Sequence, residues 1–227
     1  MIITKQKSIK SILEFLKDSK NIYIVGCAQC ATVCKTGGEE EVSDIAGVLK
    51  KKGKIITGTA ILDPACHLVK VKQFFYKNKK ALSKSDALLV MACGNGTQVI
   101  IDGTKGMRAY AGLDTLFLGE IERGGHFSQK CVLCGECILD RTEGICPITI
   151  CTKGLLNGPC GGSKNGKCEI DKDRDCGWIL IYNRLKDKGN LDKMKHIIKQ
   201  LEEERNRVAS KVPLSRYERE KLLNQRK

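Results

Sequence analysis

Apolar residues recur at helical spacing three times before residue 81. Ile9, Ile12, Leu13 and Leu16 share one face over residues 7–18, Val42, Ile45, Ala46 and Leu49 share one over 39–52, and Leu68, Val71, Phe74 and Phe75 share one over 67–80. Each period predicts an amphipathic helix, and Gly53 stands where the second should stop. Other stretches are too continuously apolar or β-branched to be a helix face: Ile22 to Gly26, Lys54 to Leu62, Ala87 to Ala92 and, further on, Thr115 to Leu118. These read as four strands. Strands that alternate with helices need crossover connections, which predicts a parallel sheet with helices on both faces. The expectation is an α/β fold whose N-terminal domain, residues 1–125, is a doubly wound parallel sheet.

The pattern breaks at Gly124-Gly125. Hydrophobic periodicity stops, and cysteines and glycines take over as far as Trp178, so residues 126–178 read as a cysteine-rich, loop-rich metal-binding module. From Ile179 the chain turns helical and charged. Leu191, Met194, Ile197, Ile198 and Leu201 form an apolar stripe, followed by the run Glu202 to Arg207 and an ending from Arg216 to Leu223. Residues 179–227 are expected to form a helical basic tail, either a solvated helix on its own domain or a surface for partner contact.

Charge and leader signals narrow the classes. Forty Lys and Arg against 26 Asp and Glu give a formal charge of +14, and aromatics make up only 5% of the chain. A basic surface attracts acidic partners and raises their encounter rate. Single-strand binders interleave aromatics with their basic residues, so nucleic acid is not the expected partner; an acidic electron carrier suits the charge equally well. The N-terminus lacks a signal-peptide core, and the longest apolar runs fall well short of the roughly 20 residues of a membrane span. The expected location is the cytoplasm, where clustered cysteines bind metal or do redox chemistry more often than they form disulfides.

Thirteen cysteines then become the main chemical signal. Cys27, Cys30 and Cys34 follow directly on the first predicted strand, Cys66 lies just past the second, and Cys93 follows the third inside Cys93-Gly-Asn-Gly96. Open α/β sheets bind ligands in the crevice at the carboxyl ends of their strands. One four-thiolate site is therefore expected from Cys27, Cys30, Cys34 and either Cys93 or Cys66. C-x2-C-x3-C from one loop suits an iron–sulfur cubane better than the paired arms of a zinc ribbon, although zinc accepts four thiolates too. Gly37-Gly38 and Gly94-Asn95-Gly96 complete no nucleotide fingerprint and are expected to give clearance around the site and a start for the next helix.

Eight more cysteines fall within 46 residues: Cys131, Cys134, Cys137, Cys146, Cys151, Cys160, Cys168 and Cys176. The first three, two residues apart with glycine between, are expected to share one site. The bacterial ferredoxin run is C-x2-C-x2-C-x3-C-P, but here the cysteine before proline is Cys146, too far along for that spacing. Which cysteine completes the set stays open, and the count fits two 4Fe–4S clusters or one cluster and one zinc. With little apolar content between residues 140 and 176, this segment is expected to need its metals to fold. His67, His126 and His196 are scattered, and no Ser-His-Asp set or carboxylate pair stands out.

The segments Cys27-Ala-Gln-Cys-Ala-Thr-Val-Cys-Lys-Thr-Gly-Gly38, Gly144-Ile-Cys-Pro147, Cys151 to Gly162 and Lys167 to Trp178 together resemble the methylenetetrahydrofolate reductase C-terminal-type family, small iron–sulfur subunits that partner a flavin-containing reductase in acetogenic and related anaerobic bacteria. The resemblance covers about residues 20 to 180. It implies a non-catalytic redox subunit in the methyl branch of the Wood–Ljungdahl pathway, feeding electrons to the FMN of a catalytic partner that reduces methylene-tetrahydrofolate to methyl-tetrahydrofolate. Two or three 4Fe–4S clusters are implied, with zinc an alternative at one site. Cys27, Cys30, Cys34 and Cys93 would hold one cluster and the eight later cysteines the others. The electron donor would be ferredoxin or a larger redox complex. A zinc-binding module or a docking scaffold without electron transfer is the competing reading.

Overall fold

A computed structural model of the chain describes residues 1–104, 106–135 and 137–196. They form two compact units that divide between Val132 and Leu133. The predicted change at Gly124-Gly125 is thus a turn inside the first unit. The expected stripe residues Ile197, Ile198 and Leu201 and the charged run beyond them lie outside the described residues.

The first unit runs β1 (Ile2–Gln6), α1 (Ile9–Phe15), β2 (Asn21–Cys27), α2 (Cys30–Val33), α3 (Glu39–Lys51), β3 (Ile55–Leu62), α4 (Leu68–Lys77), α5 (Lys79–Leu82), β4 (Ala87–Met91), α6 (Gly94–Gly103), β5 (Arg108–Ala111), β6 (Leu113–Ile121) and β7 (Phe127–Cys131). Four strands make a parallel sheet in the order β3-β2-β4-β5. Ile22, Ile24, Val25, Leu88, Leu89, Val90 and Met91 are fully buried in it, the continuous apolar signature of strands covered twice. Tyr23 meets Phe74 of α4 edge-on. Gly26, on the opposite face by strand alternation, lies against Val42 of α3. Helices therefore cover both faces, as the alternation of elements predicts.

One strand assignment needs correcting. Thr115 to Leu118, expected in the parallel sheet, lies in β6, which joins β1 and β7 in a separate antiparallel sheet of order β1-β6-β7. The fourth parallel strand is β5, only four residues long. Periodicity detects an extended segment but not its neighbour.

Local chemistry sets the helix ends. The Ser8 hydroxyl accepts from the Ser11 amide at 3.1 Å and caps α1. Glu39, Glu40 and Glu41 open α3 and Lys50 and Lys51 close it, each sign matched to its end of the helix dipole. Gly53 follows with φ +82°, a left-handed stop that glycine adopts freely.

The second unit is loop-rich. Its described helices are α7 (Pro147–Ile150) and α8 (Gly177–Asp187), and a 3-10 turn covers Leu191–Lys195. Its buried apolar cluster is small: Cys176, Trp178, Ile181 and Leu185. The Trp178 indole donates to the Leu155 carbonyl at 2.9 Å. Glu143 ties its loop to the segment beyond α8, accepting from Asn190 at 2.8 Å and from the ammonium groups of Lys193 and Lys188. Lys193 first, then Asn190, hold its carboxyl down at about 2. Among the described residues no helix is long and apolar enough to cross a membrane.

Two of these features can be probed by unfolding. A Cβ at Gly37 would overlap the Met91 carbonyl oxygen, whereas at Gly47, inside α3, it would meet open space. Urea unfolding of the full chain should show Gly37→Ala destabilised by roughly 1–3 kcal/mol and Gly47→Ala stabilised by roughly 0.5–1 kcal/mol. Because folding lowers the Glu143 pKa, its contribution to stability is present above the usual value of 4.5 and is lost as pH falls toward 2. The gap in melting temperature between wild type and Glu143→Gln should therefore be full at neutral pH and should narrow between pH 4.5 and 2.

Candidate thiolate centres

The strand order reverses between β2 and β4, since β3 lies on one side of β2 while β4 and β5 continue on the other. Crevices at such switch points, outside the carboxyl ends of the strands, are the ligand sites of open α/β sheets. Cys27 is the last residue of β2, Cys30 opens α2 and Cys34 follows it. Cys93 sits across the switch point as the N-cap residue of α6, whose dipole favours negative charge there. Cys27, Cys34 and Cys93 are buried, Cys30 is half-buried and Cys66 is exposed.

Cys93 registers its neighbours. Burial is the main cause that pushes its thiol above the ordinary value, and the nearby Cys30 and Cys27 push the same way. The Gly96 and Asn95 amides act against them by hydrogen-bonding the sulfur. Three of the five predicted thiols thus lie within electrostatic reach of one another, with backbone donors aimed at one sulfur. An all-sulfur donor set beside a helix N-terminus suits an anionic iron–sulfur centre.

The antiparallel sheet holds both thiol loops. Thr4 of β1 and Thr36 share a buried hydroxyl hydrogen bond of 2.6 Å, and the Gln6 amide donates to the Thr36 carbonyl at 2.9 Å. The Cys34 thiol points to the Ile2 carbonyl at 3.6 Å. On the other loop, the Gly94 amide donates to the Thr115 hydroxyl of β6 at 2.7 Å. Since β1 pairs with β6, one sheet ties the Cys27–Cys34 loop and the Cys93 loop together. Sequence reasoning passes over Thr4, Thr36 and Thr115, because single threonines whose partners lie 21 to 32 residues away leave no local pattern.

In the second unit, Cys151, Cys160, Cys168 and Cys176 line one cavity, beside Lys153, Glu169 and Trp178. The space has a volume of about 20 Å³. The Cys160 thiol donates to the Glu169 carboxylate at 3.2 Å, and Glu169 also pairs with the Lys153 ammonium. Those two partners, Lys153 foremost, hold the Glu169 carboxyl below its ordinary value. The Thr152 hydroxyl, 3.5 Å from the Cys168 sulfur, is the main cause holding that thiol low, helped by the Asp171 and Ile170 amides. A Cβ at Gly162 would fall on the Glu169 carboxylate, which gives a local reason for glycine in Cys160-Gly-Gly162. Lys153 and Glu169 are further site residues that no spacing rule singles out.

The remaining predicted residues are placed more loosely. Cys131 ends β7 in the first unit, whereas Cys134 and Cys137 begin the second and Cys146 precedes α7. Their grouping rests on sequence spacing. Among the described residues no three His, Cys, Asp or Glu side chains come together closely enough to hold a metal ion, so the four sulfurs share a cavity without converging on a point in it. His67 caps α4 by accepting from the Lys70 amide at 3.5 Å.

Residues 110–204 match the family model described as methylene-tetrahydrofolate reductase C terminal, the family that the cysteine motifs resemble. The match spans 95 of the 227 residues, from β5 through all described parts of the second unit. Searches of curated proteins and of solved structures each return no match.

The clamp on Cys93 is testable. Thr115→Val removes the acceptor of the Gly94 amide. It should cost about 1 kcal/mol in urea unfolding and speed alkylation of Cys93 in the native chain, while Thr115→Ser should restore both.

Proposed function

We propose, taking the match of residues 110–204 as premise, that this chain is the electron-transfer subunit of a methylenetetrahydrofolate reductase. It carries two or three 4Fe–4S clusters, with zinc as the alternative at one site, and passes electrons to the FMN of a catalytic partner. That partner reduces methylene-tetrahydrofolate to methyl-tetrahydrofolate in the methyl branch of the Wood–Ljungdahl pathway. Ferredoxin or a larger redox complex supplies the electrons. The observation that carries the reading is that Cys27 and Cys30 lie within electrostatic reach of Cys93 at the β2–β4 switch point.

Cys34 belongs with these three as a fourth, buried thiol. Cys93 is preferred to Cys66, since it is buried at the N-terminus of α6 within reach of Cys27 and Cys30, and Cys66 is exposed. A cluster bound there supplies one-electron exchange at a potential set by the hydrogen bonds and solvent around its sulfurs. The Asn95 and Gly96 amides would stabilise charge on the Cys93 sulfur, and β1 and β6 would keep the two loops at a fixed separation.

A structural zinc is the second reading, and it is favoured at one place. The cavity lined by Cys151, Cys160, Cys168 and Cys176 measures about 20 Å³, about the room of a single water-sized occupant. That suits one ion held by four thiolates better than a cubane. Binding would take the proton from Cys160, and Glu169 would keep Lys153 as its partner.

Anaerobic purification followed by iron, sulfide and zinc analysis tests both readings. Wild type should be brown and should bleach on reduction. Cys93→Ala should lose about four irons per chain, and Cys66→Ala should lose none. Cys168→Ala should lose zinc while its iron stays unchanged. Colourless protein holding only zinc would overturn the electron-transfer reading, and iron loss in Cys66→Ala alone would replace Cys93 as the fourth ligand.

A further inference from the structure

The most one-sided charge in the first unit lies on α4 and α5. Between Asp63 and Asp86 the chain has no acidic residue and six lysines: Lys70, Lys72, Lys77, Lys79, Lys80 and Lys84. Among the described residues none of the six forms an ion pair. Only part of the apolar content of α4 is directed inward. Val71 and Phe74 are buried, whereas Tyr76 is 85% exposed.

Between α4, α5 and the end of α6 the surface forms a groove of about 570 Å³. Phe75, Leu82 and Met107 give it an apolar lining, and Lys72 and Lys79 add two ammonium groups. Gly103 shapes it: a Cβ there would stand 2.6 Å from the Val71 side chain, so the glycine lets α6 approach α4 closely. An apolar lining with a few fixed charges, in a volume of several hundred Å³, is the build of a recognition pocket.

We propose that this groove docks an acidic polypeptide segment of a partner protein. One aromatic or aliphatic side chain of the segment sits against Phe75, Leu82 and Met107, and flanking carboxylates pair with Lys72 and Lys79. Charge complementarity chooses the occupant. The unpaired lysines would repel a second copy of this basic chain and attract an acidic one. The lining chooses a polypeptide over nucleic acid, because its two rings, Phe75 and Tyr76, stand beside the aliphatic Leu82 and Met107, where a bound strand needs a longer series of stacking platforms. A central apolar anchor inside a charged rim is also how binding energy concentrates at protein interfaces. The groove's role is independent of what the thiols hold, so its failure and that of the cluster reading are separable.

The test uses the anaerobically purified full chain and short fluorescein-labelled synthetic peptides, read by anisotropy. One peptide carries a central Phe flanked by Glu and Asp, a second replaces Phe with Gly, and a third replaces the acids with Gln. A thymidine oligonucleotide is the fourth probe. The acidic Phe peptide should bind at least about tenfold more tightly than either altered peptide, with affinity falling between about 50 and about 200 mM salt. Lys72→Glu with Lys79→Glu should weaken it by about tenfold or more. Lys10→Glu with Lys17→Glu, the same charge change on α1 and just beyond it, should change it by less than about twofold. If the groove pair fails to fold, Lys72→Gln with Lys79→Gln takes its place. Equal loss in both pairs, equal binding without the Phe, or tighter binding of the oligonucleotide with the same sensitivity would each overturn the proposal.

Discussion

The thiol rim of the first unit depends on how closely two loops can approach the ends of β2 and β4. The Cys27 amide donates to the Gly37 carbonyl at 3.0 Å, and Gly37 itself lies against the Met91 backbone with no room for a side chain. That contact seats the Cys27–Gly38 loop beside the end of β4, one residue before the turn into Cys93. The antiparallel sheet completes the restraint, because Thr4 and Gln6 hold Thr36 on one loop and Thr115 holds Gly94 on the other. A loop rich in glycine and small residues loses much conformational freedom on folding. Backbone contacts and three short hydrogen bonds offset that loss, where a larger core would do so elsewhere.

The second unit meets the same problem with less apolar material. Around Trp178, Ile181 and Leu185 it builds a small core and fastens the loops to that core by polar links. Glu143 gathers three donors from the segment after α8, and Glu169 joins Lys153 to Cys160. Exposed ion pairs contribute little to stability singly. Their value here is directional, since Glu169 holds Lys153 and Cys160 beside the shared cavity of Cys151, Cys160, Cys168 and Cys176, and Glu143 holds its loop to the segment after α8.

Much of this was legible from residue order. Apolar runs announced β2, β3 and β4, helical periods announced α1, α3 and α4, and the placement of Cys27 and Cys93 after strands predicted a rim at the carboxyl ends. The elements that escaped had weak local patterning. β1, Ile-Ile-Thr-Lys-Gln, alternates poorly, and β5 has four residues. Thr115 to Leu118 read as a strand but not as one of another sheet, because pairing partners lie far apart in sequence. The Thr4–Thr36, Gly94–Thr115 and Glu143–Lys193 contacts span 32, 21 and 50 residues, and no spacing rule reaches that far. The cavity of four cysteines could be counted but not grouped from sequence, since five candidates followed Cys137.

The position of β3 has a colloidal consequence. Among the described residues it has a neighbour in its sheet on one side only, and an edge of that kind carries a row of backbone groups able to accept a foreign strand. Lys54 stands at its start, and the chain's charge of +14 keeps identical molecules apart by repulsion that reaches about 10 Å at moderate ionic strength. Concentrated salt removes that repulsion while leaving the flank intact. Crowded, salty solutions therefore favour self-adhesion along this ribbon of backbone, and the surplus of lysine acts as the protein's own dispersant.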